Sequence, residues 1–197
     1  MVAYVIIPGI DGSDERHWQS RWEEQWGASA VRTAPASWSE PDLGDWVAAV
    51  EAAYETAARR DSRVVLVAHS LGCWAAAQWL DGWAGPVTGP VAAFLVAPPD
   101  PAGPGFPREA AATFLGLTAR PLPCPSLLVA SDDDPYCDPA TAVSFGHGWQ
   151  AEMHLVESHG HINSGSGLGD WPAGRELLRG LVDRGHRNSL GSGGPVA

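Results

Sequence analysis

A buried strand that turns directly into a helix at a serine is the feature that most constrains this chain. Residues 64–80 read VVLVAHSLGCWAAAQWL, a run of aliphatic strand formers followed without a polar spacer by an alanine-rich helical stretch. A strand and a helix can meet so abruptly only through a tight turn with a strained central residue and small neighbours. Ala68 and Gly72 flank Ser70 at the required spacing. The pattern predicts a nucleophile elbow, which would lift the Ser70 hydroxyl clear of a sheet's C-terminal edge.

Short aliphatic runs recur along the chain and predict six strands. The runs are Val2–Ile7, Ala30–Ala34, Val64–Ala68, Val91–Ala97, Ser126–Ala130 and Glu152–Val156. Their nearly continuous apolar character is typical of strands buried on both faces, as in a parallel sheet covered by helices. Helical stretches separate most of them. The sequence therefore predicts an α/β fold, a three-layer αβα sandwich around a mostly parallel six-stranded sheet.

Two helices are predicted before the serine. Trp18, Trp22 and Trp26 recur at every fourth position, which places an aromatic stripe on one helix, and Gly27 is a typical helix stop. A second helix follows Pro41.

The chain has 197 residues, which suits one domain with a substantial core. We expect that domain to span residues 1–185. Residues 186–197 are rich in glycine and serine and show no periodicity, so we expect a disordered tail. A Pro/Gly-rich stretch over residues 98–107 predicts a loop.

Composition excludes several classes of function. A net charge of −11 without a basic cluster disfavours nucleic acid as a partner. The longest apolar runs are much shorter than a bilayer span, and the N-terminus lacks the basic region of a signal peptide, so we expect a cytoplasmic protein without membrane contact. The three cysteines show neither metal nor redox spacing.

A serine hydroxyl needs a base, and the base needs an acid to orient it; on this type of fold their chain order is Ser, Asp/Glu, His. The fifth run ends in SDDDPYC, which offers Asp132, Asp133 and Asp134, and Asp138 follows directly. Asp134 precedes Pro135, which makes a well-held carboxylate plausible. Asp100 is a weaker candidate. A calcium loop is disfavoured because the glycine and the distal glutamate of such loops are absent, so we expect no metal.

The base is sought among the histidines that follow the last strand. His159 and His161 both lie in its glycine-rich turn, and the residue pattern alone does not separate them. His69 and His17 could also line the site. Each histidine taken singly fits an ordinary surface or core position.

Two backbone N–H groups are the candidate donors to an oxyanion. Leu71 begins the helix after the serine, where N–H groups point toward the site. The first strand ends in PGIDGS, where the N–H of Ile10 is the expected second donor. The same stretch also fits an ordinary turn in which Ser13 or Asp14 caps a helix. It is not a phosphate loop, since no Gly-Lys-Ser/Thr follows.

Ten tryptophans are many for this length, and most would serve core packing. Trp18, Trp74 and Trp171 lie close in sequence to the predicted site and are candidates for apolar substrate contacts.

Four stretches together resemble a known family. PGIDGSDERHWQSRWE, VAHSLGCWAA, SDDDPYC and GHINSGSGLGDWPAG are similar to the small α/β-hydrolases related to retinoblastoma-binding protein nine. The resemblance implies a serine hydrolase of the α/β-hydrolase type, with Ser70 as nucleophile, Asp134 as acid and His161 as base. Because only the short Pro/Gly-rich loop follows the fourth run, we expect a compact fold without a large lid. Acyl transfer to water through such a triad needs no cofactor, so we expect none. The L-x-C-x-E segment associated with retinoblastoma protein binding is absent from the sequence, so that partner is not carried over.

The sequence thus predicts a serine hydrolase that cleaves small ester or amide substrates through an acyl-enzyme. The acidic charge favours neutral or cationic substrates. The alternative is a non-catalytic protein-interaction module that keeps the fold. Nothing in the sequence assigns the oligomeric state.

Overall fold

One six-stranded parallel sheet forms the centre of the molecule. The computed structural model describes residues 2–83 and 92–191, with side chains to residue 185. The strands are β1 (Ala3–Ile7), β2 (Ala30–Arg32), β3 (Val64–His69), β4 (Ala92–Val96), β5 (Ser126–Ser131) and β6 (Glu152–Val156). They lie in the order β2-β1-β3-β4-β5-β6, and all neighbours pair in parallel. All six predicted strands are confirmed; Val91, predicted to begin the fourth, lies outside the described residues.

Among the described residues, five helices cover the sheet on both faces. They are α1 (Trp18–Trp26), α2 (Leu43–Ala58), α3 (Leu71–Asp81), α4 (Pro139–Trp149) and α5 (Pro172–Gly191). Helices α1 and α5 contribute to the hydrophobic core on one face, and α2, α3 and α4 contribute to the core on the other. The predicted three-layer sandwich is confirmed.

The central strand β3 explains why its sequence shows no alternation of apolar and polar residues. Leu66 and Ala68 face the core of α2 and α3, whereas Val65 and Val67 face the core of α1 and α5. All four side chains are fully buried. Both faces of the strand therefore require apolar residues.

Helix α1 follows its predicted aromatic stripe. Trp18 and Trp22 are buried against the sheet, and Trp26 stacks on Tyr4 with ring centroids 3.8 Å apart. The helix ends at Gly27, whose φ of 51° suits a residue without a side chain.

A buried glutamine, which the sequence analysis did not single out, ties α1 to the sheet. The side-chain amide of Gln19 donates to the carbonyl oxygens of Ile7 (3.2 Å) and Val67 (3.0 Å). These carbonyls lie near the C-terminal ends of β1 and β3. The bonds therefore fix the end of the sheet at which the predicted site lies.

The C-terminal region differs from the prediction. Helix α5 continues to Gly191, although we expected disorder from His186 onward. The composition of the whole segment was a poor guide because its glycines lie at position 191 and beyond, whereas residues 186–190 contain no glycine or proline to interrupt the helix. Residues 192–197 lie outside the described residues.

The connection between β4 and β5 leaves the C-terminal edge of the sheet open. It contains only one short 3-10 helix, Ala112–Phe114, and otherwise follows an irregular path. Phe106 and Phe114 are buried and anchor it to the core. Within the described ranges, no helix is long and apolar enough to span a membrane.

Candidate active site

Ser70 occupies the sharp turn between β3 and α3. Its backbone has φ 54° and ψ −128°, a combination that residues with side chains rarely adopt. Its N–H donates to the carbonyl oxygen of Val96 at 2.8 Å, which ties the turn to the neighbouring strand. The strain is the local signature of the predicted nucleophile elbow.

Two glycines allow the elbow to contact the turn after β1. A Cβ atom on Gly72 would lie 2.4 Å from the carbonyl oxygen of Pro8, and one on Gly9 would lie 2.6 Å from the Cβ of Ser70. Both distances are far below van der Waals contact. Glycine at these two positions therefore lets the β1 turn and the start of α3 close around the serine.

Ser70, His161 and Asp134 form one chain of hydrogen bonds. The Nε2 atom of His161 lies 2.8 Å from Ser70 Oγ, and its Nδ1 lies 2.9 and 3.0 Å from the two carboxylate oxygens of Asp134. A carboxylate can only accept, so Nδ1 carries the proton of the neutral ring and Nε2 accepts from the serine hydroxyl. The side chain of His161 is 10% exposed and that of Asp134 is 2% exposed. The arrangement is that of an activated nucleophile.

The consecutive aspartates 132–134 all hold the turn that carries His161, but in different ways. Asp132 accepts from the N–H of Ser158 at 2.8 Å, and Asp133 accepts from the N–H of Gly160 at 2.7 Å. Only the third reaches the imidazole. The geometry therefore separates candidates that the residue pattern left open.

The remaining candidates are engaged elsewhere. His159 is partly exposed, and its Nδ1 lies 2.6 Å from the carbonyl oxygen of Glu157. Asp138 caps the N-terminus of α4, and Asp100 accepts from a backbone N–H in its own turn. None of them contacts the serine.

A cleft of about 360 Å³ opens at Ser70. Its lining residues are Gly9, Ile10, Asp11, Gly12, Asp14, His17, His69, Ser70, Leu71, Pro99, Pro107, Tyr136, His161, Asn163, Ser164 and Gly165. Two carboxylates, Asp11 and Asp14, belong to this lining, and no arginine does among the residues that the structure describes. The cleft therefore has an acidic character.

Both predicted oxyanion donors lie at this cleft. Leu71 is the first residue of α3, where N–H groups have no partner within the helix. Ile10 lies in a turn held on either side, because Asp11 N–H donates to Trp38 at 2.9 Å and Gly12 N–H donates to Gly9 at 3.0 Å. These bonds position the backbone at Ile10 beside the elbow.

Two buried histidines complete the wall of the cleft. His17 caps α1, its Nδ1 accepting from the N–H of Gln19 at 3.1 Å, and its Nε2 is buried without a hydrogen-bond partner among the described residues. Burial, and to a lesser extent Arg32 and His161, lower the pKa of His17 to about 4 against the opposing effect of Asp14. The ring is therefore neutral at pH 7.

Burial also lowers the pKa of His69 well below its ordinary value, with His17 and His161 acting in the same direction. Its Nε2 lies 2.9 Å from the carbonyl oxygen of His161.

The three tryptophans proposed as substrate contacts do not line the cleft, which corrects that prediction. All three are at most 3% exposed. The indole N–H of Trp18 donates to the carbonyl oxygen of Ile162, and that of Trp74 donates to the carbonyl oxygen of Pro99. The ring of Trp171 stacks on Trp22. Closeness to a motif in sequence was misleading because these side chains point from their backbone into the two cores.

Sequence analysis missed Tyr136 as a cleft residue. Its ring is 39% exposed and meets the His161 ring edge-on, with centroids 4.5 Å apart. Its N–H donates to Asp134 Oδ1 at 2.9 Å. Its position in SDDDPYC, next to the candidate acids, was the sequence signal that could have pointed to it.

Within the part of the chain that the structure describes, no cluster of three or more His, Cys, Asp or Glu side chains could hold a metal ion.

Comparison with known proteins identifies the family. A family model described as serine hydrolase matches residues 4–180. A protein described as a YdeN-like hydrolase, from Pectobacterium atrosepticum, has 29% identity and a TM-score of 0.77, with 94% of this chain and 92% of that chain covered. The ydeN gene product of B. subtilis has 19% identity and a TM-score of 0.66, covering 92% and 98%.

A more distant match shows the same fold. Est1E from Butyrivibrio proteoclasticus, solved with ferulic acid, has 14% identity and a TM-score of 0.71 over 93% of this chain and 90% of that chain. No curated protein matches the sequence. With the six-stranded parallel sheet and its two helical layers, these matches show an α/β-hydrolase fold, and the match over residues 4–180 shows that the chain belongs to the serine hydrolase family.

Proposed function

We propose that this protein hydrolyses small esters or amides through an acyl-enzyme formed on Ser70. The observation that carries the proposal is the unbroken chain of hydrogen bonds from Asp134 through His161 to Ser70 Oγ. Membership of the serine hydrolase family supports it independently.

The proposed reaction has two halves. In the first, His161 Nε2 takes the hydroxyl proton as Ser70 Oγ attacks the substrate carbonyl carbon, and Asp134 stabilises the imidazolium. The negative charge on the carbonyl oxygen is met by the N–H groups of Leu71 and Ile10. His161 then protonates the departing alcohol or amine. In the second half, a water molecule attacks the acyl-serine by the same route, releasing the acid and restoring the enzyme.

The cleft supports a preference for small neutral or cationic substrates. It is open and has a volume of about 360 Å³, and Asp11 and Asp14 would repel an anionic acyl group. The triad does not distinguish esters from amides. Within the family, we place the chain near the small α/β-hydrolases related to retinoblastoma-binding protein nine, on the strength of the four motifs.

Covalent labelling tests the proposal. We expect a fluorophosphonate probe to label the wild-type protein and to leave Ser70→Ala unlabelled. Ser144→Ala, which changes an exposed serine on α4 outside the cleft, should label like wild type. Turnover of short-chain esters should fall by at least about four orders of magnitude in Ser70→Ala. Labelling of folded Ser70→Ala, or none of the wild type, would contradict the proposal.

The same assay tests substrate charge. Three 4-nitrophenyl esters of similar length, with neutral, ammonium or carboxylate acyl ends, should differ in kcat/KM, and the carboxylate should react slowest. A carboxylate ester that reacts fastest would overturn the preference. If the wild type neither labels nor turns over any ester, the non-catalytic interaction module becomes the better reading, and a search for protein partners should follow.

A further inference from the structure

We propose that His69 is a positioning residue, whose side chain holds the turn that carries His161 against the nucleophile elbow. The inference rests on the proposed function, because it assigns His69 a role in placing the base. It goes beyond the triad by naming a side chain outside it that links the base to the strand of the nucleophile.

The hydrogen-bond chemistry at His69 allows one assignment. Its Nε2 lies 2.9 Å from the backbone carbonyl oxygen of His161. A carbonyl oxygen can only accept, so Nε2 carries the ring proton and donates it. His69 directly precedes Ser70, and 92 residues separate the two partners along the chain. The bond therefore joins the residue beside the nucleophile to the backbone of the base.

The position of the two partners in the sheet gives this bond its importance. His69 ends β3, a central strand whose residues are all buried. His161 follows β6, an edge strand on which Leu155 is 47% exposed. Strands β4 and β5 lie between them. Asp132 and Asp133 hold the same turn from the end of β5, and Trp18 holds it from α1. The bond from His69 adds a contact from the strand that carries the nucleophile, and so ties the base directly to the elbow.

The bond from His69 holds a different part of His161 from the part that Asp134 holds. Asp134 binds the imidazole at Nδ1, whereas His69 binds the backbone carbonyl. With the ring and the backbone both held, Nε2 is directed at Ser70 Oγ. An error of about 1 Å in such a distance can cost on the order of 100-fold in rate.

The environment of His69 suits a neutral donor. The ring is buried, and it lies 4.7 Å from the His17 ring and 5.0 Å from the His161 ring between centroids. A second positive charge here would oppose the imidazolium that forms on His161 during the reaction. A neutral imidazole donates the same hydrogen bond without that repulsion.

Two substitutions separate positioning from simple packing. The amide nitrogen of Gln, in His69→Gln, reaches about as far as Nε2 and can donate to the same carbonyl, whereas His69→Leu fills similar space without a donor. We expect kcat to fall about 10- to 100-fold in His69→Leu, with KM changed less than about threefold. His69→Gln should recover most of the lost kcat. Each rate is divided by the concentration of folded enzyme, which is determined by circular dichroism and denaturant unfolding. Equal kcat in the two variants would overturn the proposal.

Two further measurements do not depend on activity. Amide hydrogen exchange over residues 158–162 should be faster in His69→Leu than in His69→Gln and the wild type. If neither variant folds, histidine side-chain NMR on the wild type still decides, because the proposal requires the proton of His69 on Nε2; a proton on Nδ1 would overturn it. A wild type that shows this tautomer and a protected turn, but does not react with the fluorophosphonate, would contradict the proposed function and leave the positioning contact standing.

Discussion

Asp134 determines which nitrogen of His161 carries the proton. In Asp134→Asn, the side-chain amide can present an N–H to Nδ1, which favours the ring form protonated on Nε2. That nitrogen could then no longer accept from Ser70 Oγ, at its present distance of 2.8 Å. We expect kcat for ester hydrolysis to fall by roughly 10⁴-fold, with little change in the folded structure.

Asp132→Asn is the matched control for this change. Its carboxylate lies two residues away and accepts a hydrogen bond from the backbone N–H of Ser158, a task that an asparagine carbonyl oxygen can also perform. We expect kcat to stay within about threefold of wild type. A loss in Asp134→Asn no larger than in this control would refute the assigned role of Asp134.

Single residues differ in how well the sequence predicts them. Ser70 could be identified from its neighbours, because a tight strand-to-helix turn requires small residues at fixed spacing. The choices of Asp134 over its neighbours and of His161 over His159 came only from family resemblance. They depend on whether each carboxylate meets a backbone N–H or the imidazole across 26 or 27 residues of chain, and local pattern carries no such information.

At the level of elements, the packing of α3 against the end of β1 should be sensitive to one methyl group. In Gly72→Ala the added Cβ would meet the carbonyl oxygens of Ile7 and Pro8 at 2.5 and 2.4 Å. Backbone atoms cannot rotate away, so α3 must move relative to the β1 turn. We expect a loss of about 1–3 kcal/mol in the free energy of unfolding, as for overpacked cores, and a fall in kcat as the two proposed oxyanion donors, Leu71 and Ile10, separate.

Gly82→Ala, at the other end of α3, is the control. Its added Cβ would lie 3.7 Å or more from its neighbours, which is ordinary contact, and its φ of −85° suits alanine. Urea unfolding and ester turnover of both variants make the comparison. If Gly72→Ala matches Gly82→Ala in both stability and kcat, the close approach of α3 to β1 is not required.

The existence and type of each element could be predicted better than the residue at which it ends or the direction in which its side chains point. All six strands followed from apolar runs because a parallel sheet covered on both faces admits few other residues. The continuation of α5 to Gly191 was missed because glycine and serine content describes solubility and flexibility of a segment, not whether a preceding helix can extend through it. The inward direction of Trp18, Trp74 and Trp171 depends on how each helix packs on the sheet.

For the whole molecule, the buried histidines predict a loss of stability in mildly acidic solution. The pKa of His17 falls from its ordinary value of 6.5 to about 4 on folding, chiefly because of burial. Between these two values the unfolded chain binds a proton that the folded protein does not. The free energy of unfolding therefore falls as the pH decreases from 6.5 to 4, by about 3 kcal/mol for this group. His69 contributes in the same direction.

The shifted carboxylates act in a different range of pH. The pKa of Asp138 is lowered below 3.8 by its hydrogen bonds to Thr141, and that of Asp133 by its bonds to Ser131 and Gly160. Their stabilisation is present above the unfolded pKa and is lost only as the pH falls through the lower folded value. The loss of stability between pH 6.5 and 5 therefore belongs to the histidines.

Replacement of one helix cap by another isolates the contribution of His17. In His17→Asn, the asparagine oxygen can still accept from the N–H of Gln19, but the titrating group is gone. We expect the slope of unfolding free energy against pH, measured by urea denaturation between pH 6.5 and 5, to fall by up to about 1.4 kcal/mol per pH unit. Asp138→Asn, which also exchanges an N-cap, should keep the wild-type slope in this range. An unchanged slope in His17→Asn would mean that His17 titrates alike in the folded and unfolded chain, and that its burial carries no electrostatic cost.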